Sequence, residues 1–355
     1  MNFVVNDIAA TPEAGGVYSI LSDFYLDVLK NDHTNQWYFI LAGKYFPESD
    51  NVKILVRNDL KKSKLKKLFF EKYNGSKYIN ALKPDVFISL QNIATRGINA
   101  TCQIVYLHQP IPFQKQKKFS YRKRSERKLA FYQRQVGNVI KNSISKIKPN
   151  VIVQTEWMKR ALTEQTTLPQ NKVAVIHPRV NVEKNIKIIK NKSDSFFYPA
   201  SNFLYKNHRV IDQAISYLEN DGVENFNVTF TLNPTQLPYR RKQIKYIGHV
   251  SRKEVMKMYE NKVLLFPSYI ESFGLPLIEA AVHADIILAA DTEFAHELLA
   301  NYNNVYYYKY DDGKELSHLM KKVINGEISS DGKALTLEDN GETLYDSIME
   351  IVNDK

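Results

Sequence analysis

One cysteine, Cys102, stands in 355 residues. An internal disulfide is therefore excluded, and a thiolate metal site has no second sulfur to draw on. No apolar run reaches the ~20 residues that a membrane-spanning helix needs. The opening stretch MNFVVNDIAATPEAGG has no basic segment followed by an apolar one, so it is not expected to be a secretory leader, and the chain reads as cytosolic. Internal repeats and low-complexity tracts are missing as well. Acidic residues are scarce in one place: residues 114–148 hold twelve Lys or Arg and a single acid, Glu126. That surplus equals the net charge of the whole chain, +11.

What is present is an ordinary globular composition, with 44% apolar residues and enough length for two domains. In the first half, NFVVND, WYFILAG, VKILVR, DVFISLQ, QIVYLHQ and NVIVQT read as short strands. GVYSILSDFYLDVLK and the 119–146 region read as helices. The pattern restarts after residue 190. SFFYPAS, FNVTFTL, IKYIGHV, VLLFPS and DIILAAD read as strands. HRVIDQAISYLEN, SRKEVMKMYENK and FAHELLAN read as helices, the second with Ser251 and Glu254 spaced as a capping box. Strands alternating with helices imply two parallel-sheet α/β domains, whose ligands bind at the carboxyl ends of the strands. The expected division is 1–180, a polar, lysine-rich linker at 181–195, a second domain at 196–335, and a C-terminal helix at 336–355 that is free to pack back on the first domain.

The most informative stretch is FPSYIESFGLPLIEA, with Glu271 and Glu279 eight residues apart. VLLFPS is a buried strand, YIESFG its carboxyl-end loop, and LPLIEAAVHA a helix. Pro276 suits the first turn, where its missing N–H would have no partner anyway. Gly274 permits a tight turn and a close backbone approach to a ligand. The helix N-terminus between the two acids attracts an anion such as diphosphate. One carboxylate is then placed for sugar hydroxyls and the other for ribose.

This E-x7-E arrangement, with FPS before it and GLPLIEA through it, resembles the retaining GT-B glycosyltransferases of family 4, the group 1 type that builds capsule, O-antigen or exopolysaccharide. PEAGGVYS, VIVQTEWMK, FFYPASNFLYKNH and IKYIGHVSRKEVMKMY resemble further family segments in chain order. The resemblance implies two Rossmann-like doubly wound domains facing a cleft. It implies transfer of a sugar from a nucleotide diphosphate, UDP favoured over GDP, with retention, without a bound metal and without a cofactor. It also implies roles. Lys206 pairs with the donor diphosphate, Glu271 contacts the transferred sugar, and His108 lies near donor sugar and acceptor. Glu279 holds the ribose, and Tyr246, Ile247 and Gly248 flank the base. Gly15 and Gly16 close over the phosphates. The backbone at Phe273, Gly274 and Leu275 orients sugar and phosphate, and Asn202 and Ser272 complete the donor set.

The sequence departs from the family at one point. Ser201 stands where an arginine often joins the lysine to clamp the phosphates, and Arg209 is the nearest substitute. No Asp-x-Asp element is present at a strand end, and the acidic doublet Asp311-Asp312 falls near the C-terminal edge of the second domain.

The basic segment suggests an anionic partner. The resemblance implies a glycan or polyprenyl-diphosphate-linked acceptor at the inner membrane face, with Lys115, Lys117, Lys118, Arg122, Lys123 and Arg124 toward acceptor and membrane. Phe119, Tyr121, Phe131 and Tyr132 are either interfacial or core. A homo-oligomer or a glycosyltransferase complex fits the same setting. Each role has a plainer competitor: the two glutamates as a helix-start pair, Lys206 as a solvated lysine, His108 as a bonded strand-end histidine. Three other readings stand beside the enzyme: a catalytically degenerate partner subunit, a nucleic-acid-binding protein, and a more distant epimerase. No RNP, KH, helix-turn-helix or zinc-finger pattern supports nucleic-acid binding.

Overall fold

The computed structural model describes residues 1–12, 16–62, 70, 75–180, 194–336 and 342–354. The chain divides into two compact units. The first holds the residues up to Arg122, Arg127–Arg179 and the C-terminal helix; the second holds the described residues from Val180 to 336 together with Lys123–Glu126.

In the first unit β1 (Asn2–Asp7), β2 (Gln36–Leu41), β3 (Val52–Val56), β4 (Val86–Ser89), β5 (Cys102–Leu107), β6 (Asn150–Val153) and β7 (Val173–Val175) form one sheet. Its order is β3-β2-β1-β4-β5-β6-β7, and every pairing is parallel. The order reverses between β1 and β4, which opens the crevice where such sheets bind ligands. Strand alternation splits the core between the two faces. Phe3 and Val5 pack with Trp37, Phe24 and Ile104 on one side, while Val4, Phe87 and Ile79 pack on the other. Phe3 stacks on Trp37 with centroids 4.2 Å apart. The C-terminal helix Leu344–Asn353 belongs to this unit, because Tyr345 and Ile348 enter the same cluster as Trp37.

In the second unit β8 (Ser195–Tyr198), β9 (Asn227–Phe230), β10 (Ile244–Tyr246), β11 (Val263–Phe266), β12 (Ile287–Ala290) and β13 (Val305–Tyr308) give the order β10-β9-β8-β11-β12-β13, again all parallel. Here the order reverses between β8 and β11. The helix His208–Asn220 buries Val210, Ile211, Ala214, Ile215 and Leu218, the stripe its spacing predicts. The capping box at Ser251 forms, with Ser251 N donating to Glu254 Oε2 at 2.8 Å and Glu254 N donating to Ser251 Oγ at 3.3 Å.

The fold corrects the reading in places. The region 119–146 is not helical throughout. Residues 119–126 are loop and turn, a helix starts at Arg127, a π turn covers Tyr132–Val136, and a helix resumes at Gly137–Ile147. The loop is held from the helix side, because Gln133 Oε1 accepts from Phe119 N at 3.0 Å and Arg134 Nη2 donates to Phe119 O at 3.2 Å. Phe119 is thereby core at 0% exposure, Tyr132 is half-buried, and Tyr121 and Phe131 stay exposed. Strands β7 and β13 and the helices Gly75–Asn80 and Gly313–Ile324 add to what the sequence pattern shows. Asp312 caps the last of these, accepting from the N–H groups of Lys314 and Glu315. Most of the expected linker, residues 181–193, lies outside the described residues. Among the described residues no helix is long and apolar enough to cross a membrane.

Candidate active site

The site builds up from the two strands flanking the reversal in the second sheet. After β8 the chain runs through an exposed loop, a single 3-10 turn at Leu204–Lys206, and Asn207 in the left-handed region at φ 58°. Asparagine tolerates that conformation, and here its side chain is also used. Asn207 Nδ2 donates to Tyr310 O at 2.6 Å and to Pro267 O at 3.3 Å, tying this loop to those after β13 and β11. Tyr269 N donates to Tyr205 O at 3.2 Å, a second tie between the loops. Tyr198 Oη donates to Lys206 O at 2.9 Å from beneath.

These bonds bring Lys206 and Glu271 together. Lys206 Nζ pairs with Glu271 Oε1, and both side chains are largely buried, with exposures of 19% and 15%. The sequence placed these two residues in separate roles; the fold makes them partners. Glu271 lies in the loop before the helix Leu275–Val282 and Glu279 in its second turn, with Pro276 in the first. Gly274 precedes the helix at φ 110°, and a Cβ there would meet Leu277 Cδ1 at 3.3 Å. Phe273 is buried, while Ser272 and Leu275 are half-buried at the same turn.

Glu279 is 4% exposed, and both its oxygens are engaged. Arg252 Nη2 lies 2.8 Å from Oε1, and Tyr259 Oη donates to Oε2 at 3.1 Å. Burial pushes this carboxyl up, opposed by the Arg252 charge and the Tyr259 hydroxyl. Arg252 and Tyr259 are the residues sequence reasoning missed. Their only local signal is the capped helix that carries Arg252; the contact itself spans the fold.

Tyr246, Ile247 and Gly248 close β10. Ile247 N donates to Phe230 O at 3.1 Å, Gly248 N to Leu232 O at 3.0 Å, and Gly248 is left-handed at φ 73°. Asn202 and Ser201 are exposed on the loop after β8. Arg209, the expected substitute for the missing arginine, is an exposed residue in the first turn of His208–Asn220.

In the first unit, His108 follows β5. Its N–H donates to Asn92 Oδ1 at 2.8 Å, and its Nε2 lies 3.3 Å from Asn92 Nδ2. With the amide donating, Nε2 is the acceptor. Burial lowers the imidazole to about 4, so it is neutral at pH 7, and its Nδ1 is buried without a hydrogen-bond partner. Gly16 begins the helix Gly16–Asn31, with open space around any added Cβ; Gly15 lies outside the described residues. Of the basic residues, Lys115 pairs with Glu164 at 2.7 Å and Lys123 lies 3.8 Å from Glu126. Lys118, Arg122 and Arg124 are exposed and Lys117 is half-buried.

Two parallel-sheet Rossmann-like units of this topology define the GT-B class of glycosyltransferase folds, and solved structures share it. Anabaena HepE in complex with UDP and glucose matches with a TM-score of 0.64 at 12% identity, covering 100% of both chains. WaaG, a glycosyltransferase involved in lipopolysaccharide biosynthesis, matches with a TM-score of 0.63 at 11% identity, covering 91% of this chain and 90% of WaaG. Residues 239–342 match the family described as Glycosyl transferases group 1. The O-antigen chain mannosyltransferase RfbU of Salmonella typhimurium is 24% identical over 194 residues, 52% of this chain and 53% of RfbU. The chain thus spans about half the length of that curated relative. Residues 239–342, in the second unit, are thus similar to the group 1 glycosyltransferases.

Proposed function

We propose that this protein transfers a sugar from a nucleotide diphosphate to a saccharide acceptor in cell-surface polysaccharide synthesis, with retention of configuration. The observation that carries the reading is the Lys206–Glu271 pair at adjoining strand ends, beside a helix N-terminus that opens at Gly274. Lys206 has Glu271 as a strong partner. A bound diphosphate supplies a second, and the ammonium then offsets the charge that grows as the nucleotide leaves. Glu271, released in part, accepts from hydroxyls of the transferred sugar. Glu279 accepts from the ribose and the Tyr246–Gly248 turn flanks the base. The exposed loop at Asn202 and the backbone around Ser272, Phe273 and Leu275 complete the donor contacts.

The acceptor hydroxyl forms the new glycosidic bond as the bond to the diphosphate oxygen breaks, and the departing phosphate takes the proton. For His108 we propose a role toward donor sugar and acceptor as a neutral hydrogen-bonding group. Lys206 and the helix N-terminus supply the positive charge that a metal supplies elsewhere, so the reaction is read as metal-independent. A UDP-sugar is favoured as donor. HepE, solved with UDP and glucose, supports that choice, while RfbU, a mannosyltransferase, keeps GDP-mannose in the test.

The acceptor is proposed to be lipid-linked, with peripheral attachment through the basic segment. In the first unit that segment offers exposed Lys118, Arg122, Arg127 and Lys128 alongside exposed Tyr121 and Phe131. Each cation near an anionic surface contributes ~1 kcal/mol. Lys115 is paired with Glu164, and Lys123 and Arg124 group with the second unit.

The test is an assay with UDP-glucose, UDP-galactose and GDP-mannose, with and without EDTA, on a polyprenyl-diphosphate-linked glycan. Release of nucleotide with an α-linked product, unchanged by EDTA, supports the reading. Nucleotide binding without turnover on any acceptor points instead to a partner subunit, the reading that Ser201 in place of arginine favours.

A further inference from the structure

Resting on the donor-site reading, the observation of interest is what already occupies the Glu279 carboxylate. It is buried, yet it carries a partly exposed partner: Arg252 Nη2 at 2.8 Å, on a side chain that is 48% exposed. Tyr259 Oη holds the other oxygen at 3.1 Å. The groups facing Glu279 are these two, from the helix after β10 and the turn that ends it, and His283 at the end of its own helix. The Nδ1 of His283 lies 2.6 Å from the backbone oxygen of Glu279 and donates to it. Arg252 alone brings a full opposite charge. It is also the first residue of the helix that follows the Tyr246–Gly248 turn, so one side chain links the proposed base segment to the proposed ribose acid.

We propose that Arg252 is a positioning residue for nucleotide recognition: its guanidinium fixes the Glu279 carboxylate and holds it charged, leaving one lone pair on each oxygen for ribose hydroxyls. Each oxygen gives one direction to a protein donor and keeps one for ligand. An ionised carboxylate accepts from both ribose hydroxyls, whereas a protonated one gives up an acceptor site. Burial already favours the protonated form, and Arg252 opposes it. Without that charge, the protonated form is favoured further and the ribose contact weakens as pH falls.

The experiment measures Kd by titration calorimetry for UDP-glucose and, in parallel, GDP-mannose at pH 6, 7 and 8. The diphosphate diester of both probes stays ionised across this range. Wild type, Arg252→Met, Arg252→Lys and Glu279→Gln are compared; the half-exposed Arg252 leaves no buried void in the Met variant, and melting temperatures check folding. Expected is a nearly flat wild-type profile and a Met variant whose affinity is lost progressively as pH falls from 8 to 6. Arg252→Lys restores most of the flat profile, and Glu279→Gln binds weakly at every pH. A Met variant that binds like wild type, or that is weaker by the same factor at all three pH values, overturns the inference, because a merely structural arginine produces no pH slope. Failure of both probes to bind wild type is a different outcome: it removes the donor-site reading, and this inference with it.

Discussion

The ammonium of Lys206 and the carboxylate of Glu271 meet across the carboxyl ends of β8 and β11, the two strands between which the second sheet reverses its order. Neither charge is free. Replacing Lys206 with Ala leaves Glu271 without its counter-charge in a mostly buried loop. We expect kcat/KM for transfer to fall by roughly 10²–10³, with a stability loss of about 1–3 kcal/mol in urea melts. Undiminished transfer in this variant would sink the phosphate role.

Glu279 links function to a cost in stability. Burial raises its pKa above the ordinary value, and Arg252 and Tyr259 only partly offset this. The folded state therefore binds the proton more tightly than the unfolded state. That contribution is complete below the unfolded value of about 4.3 and is lost as pH rises through the folded one. Glu279→Gln has no such loss. Its melting temperature relative to wild type should climb between pH 4.5 and pH 8, while nucleotide-sugar affinity drops. A difference that stays level with pH would contradict this account.

Two histidines run the other way. Burial depresses His208 to about 3 and His108 to about 4. In His208, which is packed against Tyr198 and Phe230, the nearby Lys206 charge adds to the burial. Their neutral forms support the fold fully above the unfolded value of about 6.5, and stability erodes as pH falls from there toward the folded values. His208→Phe keeps the ring packing and removes one titration. Comparing urea midpoints at pH 7.5 and 5 should show a smaller acid loss in the variant than in wild type.

Gly274 sits at φ 110°, where an L side chain is strained whatever the space around it. The added Cβ in Gly274→Ala would also press on Leu277 Cδ1 at 3.3 Å. A destabilisation of roughly 1–3 kcal/mol is expected, along with weaker nucleotide binding, because the helix N-terminus behind Glu271 shifts. Gly16→Ala is the contrasting case, with nothing within 4 Å of the new Cβ. It should leave the melting temperature unchanged, and any loss of transfer there reports on the donor rather than the fold.

For the basic segment, the double variant Lys118→Glu, Arg122→Glu removes two exposed cations and adds two anions. Binding to vesicles containing phosphatidylglycerol should weaken by more than the ~30-fold that two cations at ~1 kcal/mol each provide, and the wild-type affinity should decline steeply with salt. Equal binding by both proteins, or binding to neutral vesicles alone, counts against peripheral attachment through this face.

Much of the architecture is legible in the linear chain because local physics dictates it. The helix at His208–Asn220 follows from apolar spacing, the cap at Ser251 from a serine three residues before a glutamate, and the Gly274 turn from a glycine and a proline at a helix start. The Lys206 and Glu271 loops could be placed at strand ends for the same reason. The short strand at Val173–Val175 escaped because three apolar residues carry no period. The loop at 119–126 escaped because its anchor is Gln133, more than three helical turns further along.

Sequence alone determined two alternating α/β halves, the position of the two acids before and after a helix start, and the concentration of positive charge in one segment. These depend on side-chain period, backbone chemistry and composition, all local quantities. Tertiary structure decided which charges meet. Lys206 is bound to Glu271 and Arg252 to Glu279, and the C-terminal helix enters the core beside Trp37. Such pairings join residues far apart in the chain, and they exist only once parallel strands have been ordered and their loops brought to one edge.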